Sequence, residues 1–495
     1  MKKEMRVLFI VYIILISSII NVYADDPFHE AETSKLRQFL MQESAVAGVL
    51  NYQQLGITSM ENINWGLIGR WNTQTFHFYY LDMANKGLSG HLDLSGFVAL
   101  QYVYCPFNDI KSVNLRNSAA LLRADFYSND LDDIDVTTNP LLENLRLGYN
   151  NLRTLDLSKN PDLSVLCFTN NRIQSMDLSN MEKLTEVTCM SNSLYNLRFD
   201  NCISLQKMVC DNNSLTKLNL YNLPKLKKIS CIDNLLNELQ LYNCGSLEDF
   251  SCNVNKISEL DVSFCENLTT LNCSKNQLKK LNLEGCKRLT SLDCDNNFLS
   301  SLNMSYTPNL TTLSCKYNSL TYLTLPLPSE QFESYSYSPQ NNVELTFQYN
   351  NVDLSDYYII EGAISTFIWK NSVTLVQPLE SKEGWFAFKE SIIGDVLTCW
   401  VQNKTFPYVS MHFDIILTKG SMGNANPEKE RFTVYSGEQS IHVETGMPVM
   451  VSVFSFQGMQ LMKRKVDAGH SVIPIERGMY VVVVDDSEHY KVIVK

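Results

Sequence analysis

Asparagine returns every 21 residues from Asn108 to Asn318, eleven times without a gap; Asn129, Asn150, Asn171, Asn192, Asn213, Asn234, Asn255, Asn276 and Asn297 lie between. Other columns keep the same step. Eight residues before each Asn stands a Leu, from Leu100 to Leu310, doubled once as Leu121-Leu122. Three before it come Cys105, Phe126, Leu147 and Phe168, then a Cys in every unit from Cys189 to Cys315. Two after it is always Ile or Leu. A unit this short cannot bury its own apolar face, so neighbours must stack to complete a core. The alternating stretch that ends at the Cys column suits a short strand, and stacking in register makes a parallel sheet along one side of a solenoid. Eleven strands at ~4.8 Å spacing span on the order of 50 Å. An amide side chain both donates and accepts, so the Asn column can satisfy backbone groups where the chain leaves each strand. Its expected role is structural.

The unit L-x-x-L-x-C-x-x-N-x-L-x-x-L-x-L plus five residues resembles the leucine-rich repeat family, in a short bacterial variety with a cysteine in the strand. The resemblance covers about residues 81–325. It implies a mainly β fold, a leucine-rich repeat solenoid with parallel strands and mostly irregular or short helical convex segments. It names no ligand, because a fold does not by itself convert into a function.

Composition narrows the remaining options. Of 495 residues, 45% are hydrophobic and 19% charged, which excludes a mostly disordered chain. The formal net charge of -12 argues against nucleic acid as a partner. Fourteen cysteines are too sparse for a small disulfide scaffold. Eight stand three before an Asn, and four more (Cys202, Cys244, Cys265 and Cys286) stand ten after one. Phe and Leu fill the first of these columns in the early units, and in-register side chains point the same way rather than at each other. Free, buried thiols are therefore expected. No C-x-x-C occurs, and the seven histidines, at 29, 77, 91, 412, 442, 470 and 489, all lie outside Cys105–Leu325. Neither a metal site nor a cofactor is expected.

The ends read differently. Lys2, Lys3 and Arg6, the apolar run Val7–Ile20 and Val22-Tyr23-Ala24 fit a cleaved signal peptide over residues 1–24. The expected location is therefore secreted or cell-surface, with no transmembrane segment in the mature chain. Residues 25–80 suit a partly helical cap, with helical spacing over Phe28–Gln42. After Leu325, Pro326 and Pro328 open a new section. Residues 326–418 read as short alternating strands, and Trp369 with Asp395–Gln402 resembles strands C and F of immunoglobulin-like domains, although the usual partner Cys is absent. Residues 419–430 are a polar linker. Residues 431–495 form a strand-rich module that resembles the C-terminal sorting domain of type IX secretion cargo, without its usual Pro-Asn-Pro entry. That resemblance implies attachment at the outer-membrane surface; a related β module that no longer sorts is the other reading. Small C-terminal β-sandwich-type domains thus complete the expected fold.

On such a solenoid the outward positions lie six, four, two and one before each Asn. In the first three units they hold Tyr102, Tyr104, Phe107, Arg123, Asp125, Tyr127, Arg146 and Tyr149; later units hold mostly small or polar groups. Aromatics and arginines dominate interface energetics, so these eight form the candidate ligand-binding patch. Coverage of the patch by the cap is the competing reading. Asp249, Asp293 and Asp295 suggest a carboxylate pair for hydrolysis. They sit on an open sheet, and no catalytic residue is assigned. The expected function is non-enzymatic binding of a protein or peptide by a monomer, with a surface glycan as the second ligand class and hydrolysis a distant third.

Overall fold

A computed structural model describes residues 29–418, except 62, 349 and 373, together with seven strands between 432 and 494 and parts of their connections. The expected signal peptide over 1–24 and the expected linker over 419–430 lie outside the described residues. The chain divides into two compact units, which meet in sequence between Thr418 and Lys419.

The first unit is built on one sheet of fourteen strands. It opens with an antiparallel pair, Gly69–Trp71 on Phe78–Asp82. Every later step is parallel, from Tyr102–Tyr104 through Thr312–Ser314 to Ser334–Ser336. Regular steps advance 21 residues, such as Tyr102 to Arg123 and Arg123 to Asn144. The first and last parallel steps, Tyr80 to Tyr102 and Thr312 to Ser334, advance 22. The sheet thus runs from the opening hairpin to Ser334–Ser336, and an extra residue breaks the 21-residue period at each end. The back of the array is mostly irregular, interrupted by short pairs of parallel strands, Ser89–Asp93 with Asp109–Asn114, Lys217–Tyr221 with Glu238–Tyr242, and others.

From Tyr102–Tyr104 to Thr312–Ser314 each front strand buries its middle residue, and the Leu and Cys columns point inward with it; Leu100, Val103, Cys105 and Ile110 are all fully buried. The Asn column stitches the rungs. Asn276 is typical: its Nδ2 donates to Cys252 O at 3.0 Å and Cys273 O at 3.1 Å, and its Oδ1 accepts from Ile257 N at 3.0 Å. Cys252 O also accepts from Asn255, and Cys273 O from Asn297. Each carbonyl in this column is therefore shared by two asparagines. Gln340 takes the next place, donating to Cys315 O at 2.8 Å and accepting from Leu320 N at 3.3 Å.

The residue before each Asn holds a left-handed backbone whatever its type; φ is 56° at Phe107, 56° at Tyr149, 59° at Val254 and 53° at Lys275. Only glycine and, to a degree, Asn or Asp adopt this region cheaply. The hydrogen bonds of the ladder hold the corner against that preference. A second column makes analogous bonds on the back, always to the carbonyl 24 residues earlier. Ser118 Oγ donates to Leu94 O, Asn139 and Asn160 Nδ2 to Leu115 and Val136 O, and Cys202, Cys244 and Cys286 Sγ to Leu178, Leu220 and Val262 O. Cys202, Cys244 and Cys286 are thus weak donors in a place where Ser and Asn also serve. All fourteen cysteines are free thiols, and burial pushes up the pKa of thiols in the core, to about 11 at Cys202 and Cys286.

Both ends of the array are covered. A helix, Glu30–Leu40, buries Leu36, Phe39 and Leu40. Asn51 donates to Phe39 O and Ser89 O and accepts from Ser89 N, tying the helix to the back strand Ser89–Asp93. At the far end, residues 343–418 form a four-stranded sheet in the order Val343–Gln348, Ser410–Thr418, Val396–Gln402, Thr366–Lys370, and a three-stranded sheet of Asn351–Asp353, Trp385–Ala387 and Glu380–Lys382. Tyr322 of the array donates its hydroxyl to Val401 O and Val409 O, each at 2.8 Å, and stacks on Phe406 at 5.5 Å. One continuous core runs from Leu36 to Leu417.

The second unit has a core of its own, which includes Ile441, Val443, Val451, Val453, Ile473 and Val482. Its seven strands are all antiparallel. Ser440–Thr445 lies between Phe432–Gly437 and Gly469–Pro474; Val449–Ser455 and Gly478–Val484 lie between Gln460–Val466 and Glu488–Val494.

Candidate functional site

Register puts the candidate residues into adjoining rows. Tyr80, Tyr102, Arg123 and Asn144 follow one another across four strands, and Asp82, Tyr104, Asp125 and Arg146 run beside them. The Tyr80 ring lies 5.7 Å from that of Tyr104 and 6.4 Å from that of Tyr102. Arg70 stands 5.4 Å over Tyr80, and Arg123 stands 5.8 Å over Tyr102. Burial, together with a hydrogen bond donated to Asp82, raises the pKa of the Tyr80 hydroxyl.

Phe107, Tyr127 and Tyr149 form a second cluster at the strand exits. Tyr127 packs 5.6 Å from Phe107 and 5.1 Å from Tyr149. The left-handed corners turn Phe107 and Tyr149 outward, and the two are 55% and 49% exposed. Gly148 makes room for the central ring: a Cβ there would meet two Tyr127 ring carbons at 2.7 and 2.8 Å. The cap helix packs against the back strand Ser89–Asp93, where Lys35 reaches Ser95 and Asp93. Of the eight candidate residues, Phe107, Arg123, Arg146 and Tyr149 are exposed and Tyr102, Tyr104, Asp125 and Tyr127 half-buried.

Charge separates this patch from the rest of the front face. Further along, lysines are neutralised by carboxylates one rung away: Lys207–Glu186 at 2.6 Å, Lys228–Asp249 at 2.5 Å and Lys316–Asp295 at 3.2 Å. Among the described residues, Arg70, Arg123 and Arg146 make no ion pair or hydrogen bond. Asp125 is half-buried and its Oδ1 accepts from Tyr127 N at 3.0 Å; burial raises its pKa. It holds the turn rather than offering a free carboxylate.

The acids that suggest hydrolysis are engaged in the same way. Asp295 accepts from Ser314 Oγ and Lys316 N, both at 2.7 Å, and Asp293 accepts from Asp295 N at 3.1 Å. Two clefts lie elsewhere on the first unit. One of about 580 Å³ is lined by Ile364, Phe406, Pro407 and Tyr408, and one of about 570 Å³ by Asp156, Asn160 and Asp177.

Sequence reasoning missed Arg70, Tyr80 and Gly148. The first two sit on the opening hairpin, outside the 21-residue register; the 22-residue step from Tyr80 to Tyr102 is the signal that points to them. Nothing in the sequence marks Gly148, because the contact it permits is with the preceding rung. No helix among the described residues is long and apolar enough to cross a membrane.

No family model matches the sequence, and no curated protein matches it. Among solved structures, the chain is similar to the functional domain of InlJ from Listeria monocytogenes, described as including a cysteine ladder: 21% identity, 68% of this chain and 90% of that one, TM-score 0.43. It is similar to YopM from Yersinia enterocolitica at 21% identity, over 50% of this chain and 57% of that one, TM-score 0.41. It is also similar to the leucine-rich effector YopM from Yersinia pestis at 24% identity, over 53% and 89%, TM-score 0.34. On its own parallel sheet and repeating rungs, the first unit is a solenoid.

Proposed function

We propose that this chain is an exported, non-enzymatic recognition protein whose first rungs bind a protein or peptide partner. One observation carries the reading. Three arginines without ion pairs among the described residues stand beside two aromatic clusters, of which Phe107 and Tyr149 are exposed, while Lys207, Lys228 and Lys316 further along the face pair with carboxylates. An unpaired guanidinium fork matches a carboxylate, and open rings match large apolar side chains. The partner chemistry is an acidic segment carrying an aromatic or large aliphatic residue. Export rests on the charged start, apolar run and small-x-small site of residues 1–24. The strand order of residues 343–418, with the first strand parallel to the last and Trp369 opposite Cys399, supports an immunoglobulin-like spacer. Two antiparallel sheets in the last unit support the sorting-type reading of residues 431–495.

A glycan is the second reading, favoured by the exposed rings of Phe107 and Tyr149. The test is selection from a displayed peptide library on the mature chain beside an Arg123→Ala/Arg146→Ala variant. Acidic–aromatic peptides enriched by the parent and lost by the variant support the proposal. Equal enrichment by both refutes the site. Dose-dependent binding on a glycan array with no peptide enrichment transfers the function to the second reading.

A further inference from the structure

Histidine is absent from the regular array, yet two histidines and a glutamate meet at its head. His29 stands at the start of the cap helix, Glu32 in its first turn, and His77 just before the strand Phe78–Asp82. Their ligand atoms all lie within 4.8 Å of one another. Glu32 is 1% exposed. Its Oε1 lies 2.8 Å from His77 Nδ1, and its Oε2 accepts from Phe78 N at 3.0 Å. The His29 ring stacks on that of His77, centroids 4.3 Å apart.

An ion pair explains only part of this arrangement. A buried carboxylate needs compensation, and His77 with the Phe78 amide supplies it. His29 then has no task, since it makes no side-chain hydrogen bond among the described residues. Ligation gives all three groups one. Two imidazoles and a carboxylate are a common donor set for zinc and other borderline divalent ions. Ligands at about 2.0–2.2 Å around a tetrahedral ion stand roughly 3.3 Å apart, so the trio closes on an ion with small side-chain rotations. The Phe78 amide already orients the second carboxylate oxygen, as outer-shell donors do for metal-bound carboxylates.

We propose that His29, Glu32 and His77 bind a divalent transition ion, zinc foremost, as a clasp between the cap helix and the first hairpin of the sheet. The site is independent of the recognition patch, and its role is structural. A clasp here ties down the start of the described chain, where the end of an array is otherwise most open to fraying.

The test uses the untagged mature chain, stripped of metal, beside His29→Ala. That variant leaves the Glu32–His77 contact and all fourteen thiols in place. Zinc titration is followed by calorimetry, and cobalt substitution by absorption. The parent is expected to bind one zinc more than His29→Ala, or the same zinc more than about tenfold tighter. Its cobalt spectrum should show ligand-field bands without thiolate charge transfer, and zinc should raise the melting temperature of the parent but not of His29→Ala. Identical zinc binding by the two chains overturns the proposal. So does a cobalt spectrum of thiolate type alone, which would assign the ion to the cysteines.

Discussion

Replacing Asn276 with Ala tests the logic of the ladder. Asn276 is nearly buried and lies deep in the array. Its loss would remove the acceptor of Ile257 N–H, which has no other partner among the described residues. Leaving a buried amide unpaired costs about 1–3 kcal/mol. The two carbonyls lose less, because Cys252 O keeps Asn255 and Cys273 O keeps Asn297. Each of those lost bonds is worth about 0.5–1.5 kcal/mol. The expected loss is therefore about 2–6 kcal/mol, felt mainly in the neighbouring rungs. Denaturant unfolding measures the total, and hydrogen exchange at Ile257 locates it. A loss below about 0.5 kcal/mol with Ile257 still protected would refute the reasoning, since the ladder would then be ornament on a solenoid held by its apolar columns alone.

Other consequences are open to direct measurement. Val254→Asn should stabilise the chain by about 1 kcal/mol, because a β-branched residue at φ 59° is replaced by one that tolerates the left-handed region; a lower melting temperature would contradict the corner analysis. Gly148→Ala should push the Tyr127 ring off its seat and weaken ligand binding with little change in stability, since the backbone there is not left-handed; unaltered binding would remove Tyr127 from the patch. Asp135 and Asp177 have pKa values lowered by hydrogen bonds, first from the hydroxyls of Thr137 and Ser179 and then from their amides. Their contribution is present above the ordinary carboxyl pKa of ~3.9 and is lost as pH falls through the lower folded values. Acid unfolding should therefore be shallower in an Asp135→Asn/Asp177→Asn chain, and an unchanged acid limb would count against it.

The inward columns were legible because burial selects residue type: Leu, Ile and Cys recur where a side chain meets the next rung. The outward map was legible for the same reason, since a strand alternates once its buried positions are known. Arg70, Tyr80 and Gln340 were not, because two 22-residue steps take them out of register, and Gln reaches with one more methylene what Asn reaches elsewhere. The left-handed corners are only partly marked in the sequence; Asn170, Asn212, Asp233 and Asn296 suit them, but Phe107, Val254 and Lys275 occupy them where glycine would be the natural choice. His29 and His77 are far apart in sequence and meet only because the opening hairpin folds back beneath the cap helix.

The shared carbonyls make the array adjustable in length. Every interior rung presents the same donors and acceptors to its neighbours, from Asn129 to Asn297. Only the two ends are special, one closed by the helix and hairpin and the other by Gln340 and the sheet that grips Tyr322. Removing or duplicating one 21-residue unit in the middle would rejoin identical surfaces and leave both closures untouched. Such a chain can lengthen or shorten its reach between the patch at its head and the β domain at its foot by whole rungs, without redesigning either.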